Sequence, residues 1–324
     1  MRHSIFNNKK VSKLLSELFR LNFDNIFNNL IVVSNSFIMK KYLFLLTGLF
    51  FLFVHSISAQ DEKAFLDSKI EALWKTSAEF KTPESVYYCN KQNAIFVSNI
   101  NGKPLDKDNN GFISKLTPDG IIIKLEWVKG LHAPKGMGVY KERLFVTDID
   151  RIAEIDIQSE KLIRFYNVPD AKFLNDIVID RTGDIYISDM QTNVIYKLFN
   201  GVVKKWIGSE NLNHPNGLCI MKEFLLIGTR DKIVKANLKN RVQSDYILNT
   251  GGIDGLICFE NNKFIYSDWS GNLYLAGLGR ETEKLLDTTP LKINAADIGF
   301  DYEKKIVFIP TFYDNRVMAY RLKD

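Results

Sequence analysis

The chain has 324 residues, 46% of them hydrophobic, with 43 basic and 38 acidic side chains and a formal net charge of +5. The surplus is local: residues 1–59 hold seven Lys or Arg and two Asp or Glu, and residues 60–324 carry 36 of each. A neutral body without a basic stripe or interleaved aromatics excludes nucleic acid as a partner class, and its length suits one large core.

Residues 1–38 show no clear pattern and are expected to be a non-native upstream extension. From Met39 the text "MKKYLFLLTGLFFLFVHSISAQ" has two lysines, an apolar run and small residues up to Ala59, so 39–59 is expected to be a secretory signal peptide. The apolar run would span only ~20 Å as a helix, against a hydrocarbon core of ~30 Å. No membrane span is therefore expected in the mature chain, which would be exported to the periplasm or secreted. Three cysteines, Cys89, Cys219 and Cys258, sit in strand-like apolar runs and are expected to be buried free thiols.

Residues 60–324 are repetitive. The segments "TPESVYYCNKQNAIFVSN", "APKGMGVYKERLFVTDID", "FLNDIVIDRTGDIYISDM", "HPNGLCIMKEFLLIGTRD", "GIDGLICFENNKFIYSDW" and "NAADIGFDYEKKIVFIPTF" align at Glu84, Lys135, Asn175, Asn216, Asp254 and Ala296, spaced 51, 40, 41, 38 and 42 residues apart. Each copy holds short strands of β-branched and aromatic residues separated by turns, and no helical period long enough for a helix layer occurs. Six copies at a period near forty predict an all-β fold, a six-bladed β-propeller with four-stranded blades. The sixth copy stops one strand short at "RVMAYRLKD", whereas "IEALWKTS" precedes the first copy without a partner. The last blade is thus expected to be closed by the N-terminal strand.

In a propeller the first strand of each blade lines the central channel, so the six aligned positions form a ring at its mouth. Oxygen groups gathered from several blades, with no His or Cys among them, suit a hard divalent cation. The plainer alternative is structural: Asn-Gly at 216 and Asp-Gly at 254 are ordinary turn formers, and Asn175 could bond neighbouring backbone. Asp148, Asp189 and Asp268 end second strands and are read as structural. His132 and His214, the histidines beyond residue 59, are too few for a three-histidine zinc site. "DKDNNG" at Asp106–Gly111 begins like a calcium loop, but Thr117 stands where the bidentate Glu would be.

With Glu84 in "PESVYY", Asn175 and Asp176 in "LNDIVID", Asn216 in "HPNGL" and Asp254 in "IDGLI", the chain resembles the six-bladed propellers of the gluconolactonase and senescence-marker (regucalcin-like) family. The resemblance implies one divalent cation, Ca, Mg, Mn or Zn, held by Glu84, Asn216 and Asp254, with Asn175 reaching it through substrate or water. It also implies hydrolysis of a lactone or related ester, with Asp254 and Asn175 in the catalytic roles. Lys135, Phe173 and Asp176 are the expected substrate contacts. The sequence departs from the family where Ser85 and Val86 follow Glu84 in place of Gly-Pro, and where Phe173 replaces an Arg common in members that bind sugar lactones. The alternative is a non-catalytic propeller of the NHL-repeat kind, binding a small ligand or a protein partner at the channel mouth; "VIYKL" and the prolines before inner strands fit that reading too.

Overall fold

The computed structural model describes residues 64–260 and 262–323; the expected extension at 1–38 and signal peptide at 39–59 lie outside the described residues. Within them the chain forms six antiparallel sheets, each with four strands from inner to outer edge, one sheet carrying an extra short strand. The inner strands are Pro83–Cys89, Pro134–Tyr140, Leu174–Ile179, Leu218–Met221, Leu256–Phe259 and Gly299–Asp301, in blades one to six. Strand alternation places one apolar row of each sheet against the next blade. Among the described residues the hydrophobic interior is accordingly six clusters between blades and a small seventh, rather than one: Phe96, Ile113 and Trp127 of blade one pack with Met137 and Val146 of blade two, for example. The equivalent cluster between blades five and six joins Ile265 and Leu285 to Val307 and Met318.

The ring closes as the sequence predicts. Ile70–Lys75 pairs with Val317–Leu322 as the outer strand of blade six. Blades six and one also meet at their inner strands, where Ser85 and Asp297 form a parallel bridge. The sequence did not announce the strand Phe65–Leu66, which pairs with Glu283–Asp287 on the edge of blade five. The N-terminal arm therefore spans two blades before the first full blade begins.

The cysteines correct the expectation of free thiols. Cys219 and Cys258 form a disulfide, with Cα atoms 5.8 Å apart and 39 residues between them; Cys89 remains free and buried. Relative to the ring residues Asn216 and Asp254 they are one position out of register on the inner strands of blades four and five, and both side chains lie in the apolar cluster between those blades. Inner strands converge on the channel, so side chains turned toward each other there come within bridging distance.

Candidate functional site

The mouth geometry begins with an irregularity in the inner strands. Pairing with the second strand slips between Pro83 and Ser85, between Pro134 and Met137, and between Leu174 and Ile177. Each slip falls at a ring residue and turns it toward the channel. In blades one, three and five the backbone N–H just past the ring residue is met by a hydroxyl of the second strand. Ser85 N–H donates to Ser98 Oγ at 3.0 Å, Asp176 N–H to Ser188 Oγ at 2.9 Å and Gly255 N–H to Ser267 Oγ at 2.9 Å. These serines were missed in the sequence, although "VSN", "ISD" and "YSD" repeat at one register.

The acids that end second strands hold the approach to the ring, as the structural reading expects. Asp148 accepts from the backbone N–H of His132 and Ala133, at 2.9 and 2.8 Å; Asp189 accepts from Lys172 and Phe173, at 2.8 and 3.2 Å. Gly217 and Gly255 serve packing rather than turning: a Cβ there would lie 2.5 Å from the Asp254 carbonyl oxygen and 2.4 Å from Ile298 N. Neighbouring inner strands could not approach so closely with any larger residue.

Five of the six ring residues, Glu84, Lys135, Asn175, Asn216 and Asp254, line one cavity of about 440 Å³ at the channel mouth. Phe173 lines the same cavity. Ala296 does not; it packs in a buried apolar cluster with Ile100, Ala133, Ile149 and Phe312. Asp176, also expected as a substrate contact, stands apart from these residues. It lies one residue past the ring and lines a separate cavity of about 500 Å³ toward the other end of the channel. Its carboxylate accepts the backbone N–H groups of Ile177 and Leu218, tying blade three to blade four. "DKDNNG" holds no calcium-loop arrangement: Asp108 accepts from the backbone and side chain of Asn110, and Lys107 pairs with Asp150.

Electrostatically the channel holds a set of buried acids and one buried ammonium, that of Lys135. Burial pushes the Glu84 carboxyl well above its usual range, the Asp254 charge adds to the rise, and the Lys135 ammonium opposes it. Asp254 is raised to about 7 by burial, against the hydrogen bond from Asn216. Asp176 is likewise raised to about 7 by burial, against its backbone donors. Asp297 is raised by burial and by Asp176 and Glu84. Lys135, only 1% exposed, is lowered to about 8 by burial, with Glu84 and Asp148 pulling the other way. Its Nζ donates to the carbonyls of Pro104 and Ala133, at 2.9 and 2.8 Å, and lies 4.7 Å from the centre of the Phe173 ring. The loop that joins Ala94–Asn99 to Gly111–Leu116 in blade one thus reaches the mouth and holds the ammonium through the Pro104 carbonyl.

Two buried oxygens at the mouth lack a hydrogen-bond partner, Glu84 Oε2 and Asn216 Oδ1. Asn216 Nδ2 donates to Asp254 Oδ1 at 2.9 Å, which leaves the amide oxygen free. Among the described residues no three His, Cys, Asp or Glu side chains gather to hold a metal ion, so any cation here would need ligands besides Glu84 and Asp254, such as the Asn216 amide oxygen. No helix among them is long and apolar enough to cross a membrane.

No protein-family model matches the sequence, and no curated protein matches it either. Solved structures do match the fold. A gluconolactonase from Xanthomonas campestris is similar with a TM-score of 0.61 and 14% identity, over 78% of this chain and 89% of that one. A streptogramin B lyase gives 0.58 and 13% identity, over 80% and 98%. Virginiamycin B lyase from Staphylococcus aureus, as a catalytically inactive variant with quinupristin, gives 0.56 and 14% identity, over 80% and 100%. The chain is a gluconolactonase-like propeller in its fold.

Proposed function

We propose that the chain is a divalent-metal-dependent hydrolase of a lactone or related ester. The observation that carries the reading is the pair of unpartnered buried oxygens, Glu84 Oε2 and Asn216 Oδ1, beside the carboxylate of Asp254 in one cavity. Buried acceptors left without donors cost about 1–3 kcal/mol each, more for a charged group, and a cation removes that cost. The residues therefore fit a hard cation, with Glu84, Asn216 and Asp254 as its ligands. A divalent cation at such a site polarises a carbonyl and lowers the pKa of bound water. Asp254, raised to about 7 by burial in the metal-free chain, is cast as the group that takes a proton from the attacking water. Asn175 lines the same cavity and is cast as the group that orients the substrate carbonyl. Lys135 offers an ammonium to negative charge on the ligand, and Phe173 supplies an apolar wall where an arginine would favour sugar hydroxyls.

The reading is supported by a fold shared with a gluconolactonase. Export completes it, since a disulfide beside a signal-like segment suits an oxidising compartment. The second reading is a non-catalytic binding propeller, favoured by one observation: Lys135 already supplies a positive charge that offsets Glu84. A panel of sugar, alkyl and aryl lactones, assayed with Ca²⁺, Mg²⁺, Mn²⁺ or Zn²⁺ present, separates the two. Hydrolysis is expected, with Asn175→Ala lowering turnover about a hundredfold or more while metal affinity stays near that of the parent. Metal-loaded protein inert to the whole panel would move the assignment to the binding propeller.

A further inference from the structure

The wall above the acid floor is aromatic. Trp269 follows the second strand of blade five, and Phe312 and Tyr313 form a turn after the second strand of blade six; all three line the mouth cavity. Their rings meet edge to face, with centroids 5.5 Å apart for Trp269 and Phe312, 5.9 Å for Trp269 and Tyr313, and 4.8 Å for Phe312 and Tyr313. Trp269 is 46% exposed and Tyr313 66% exposed, so a large apolar surface beside the site faces open space. Phe312 holds a left-handed backbone, with φ of 49°, which is a strained conformation for a bulky residue. Strain of that kind persists where the surroundings enforce it, and it gathers at ligand-binding positions. Across the ring, on blade three, stands Phe173. Apart from His214 and Arg230, both of blade four, the charged and amide side chains lining this cavity are those of the ring itself.

A polar floor under an aromatic lip suits a ligand with a polar reacting group at one end and a flat apolar body at the other. We infer that the mouth takes aryl-bearing cyclic esters, with the carbonyl toward the Glu84–Asn216–Asp254 floor and the aromatic ring stacked on the Trp269–Phe312–Tyr313 cluster. An aldonolactone would instead set its hydroxyls against ring faces that offer only weak acceptors and no donors. The inference rests on the hydrolytic reading for the fate of the ligand, but not for its recognition.

The test separates recognition from turnover by using ring ketones, which cannot be hydrolysed. Binding of α-tetralone and of cyclohexanone to the purified chain is measured by calorimetry. Hydrolysis of dihydrocoumarin and of δ-valerolactone is followed in parallel. The fused benzene ring is expected to improve ketone binding about tenfold, and Trp269→Ala and Tyr313→Ala each to remove most of that preference while leaving cyclohexanone unchanged. Equal binding of the two ketones overturns the inference, and so does a preference that survives in both variants. Selective binding of α-tetralone without hydrolysis of dihydrocoumarin would uphold the aromatic lip and overturn only the hydrolytic reading beneath it.

Discussion

At the scale of single residues, the channel is held together by groups whose charge the fold suppresses. Asp176 and Asp254 are raised to about 7 by burial, against about 4 for an unfolded carboxyl. The folded chain therefore binds more protons than the unfolded chain between about pH 4 and pH 7, so the stability from these groups is present below that window and lost as pH rises through it. With chelator present, the melting temperature is expected to fall as pH rises from about 5 to about 8, and Asp176→Asn to flatten part of the fall. A parent profile that is level or rises over that interval would contradict the suppressed charges. Glu84, Asn175, Asn216 and Asp254 were legible in the sequence because they share one register with the repeat. The repeat also set Asn175 rather than Asp176 in the ring; what it did not show is that Asp176, just past a slip in strand pairing, lines a separate cavity. The serine supports were equally hidden, since a Ser near a strand end reads as ordinary surface until its buried backbone partner is known.

Among the elements, the repeat and its closure were legible, as the pairing of Ile70–Lys75 with Val317–Leu322 shows. A strand that lacks a partner in its own copy must find one elsewhere, and the sixth copy lacked one. Deleting Ile70–Ser77 removes buried Ile70 and the partly buried Leu73 and Trp74 from blade six. The loss is expected to be about 5 kcal/mol, seen as a sharply lower melting temperature. A deletion variant that melts like the parent would rule the closure out. The disulfide was illegible for a different reason: strand patterning describes each cysteine alone, and pairing depends on how closely neighbouring blades approach the axis. Replacing Cys219 and Cys258 together by serine is expected to cost about 2–4 kcal/mol in chemical denaturation. No change in the denaturation midpoint would mean that the bridge adds nothing to the fold.

For the whole molecule, the ring converts a linear repeat into a shared channel mouth to which five distant segments each contribute an aligned polar residue. The apolar clusters between blades fix the ring, and the inner strands are left to carry polar residues into the channel. This is why a site with buried Glu84, Lys135, Asn216 and Asp254 is compatible with the fold. The central claim is that a divalent cation, bound by Glu84, Asn216 and Asp254, completes the mouth. A ligand bound only by the native state raises stability by mass action, by about 2.7 kcal/mol at a hundred times its dissociation constant. The direct measurement is thermal unfolding of chelated protein titrated with Ca²⁺ or Mn²⁺, for the parent chain, Glu84→Ala and Asp254→Ala. A saturable rise in melting temperature is predicted for the parent and none for either variant; an unresponsive parent, or variants that respond as the parent does, would contradict the claim.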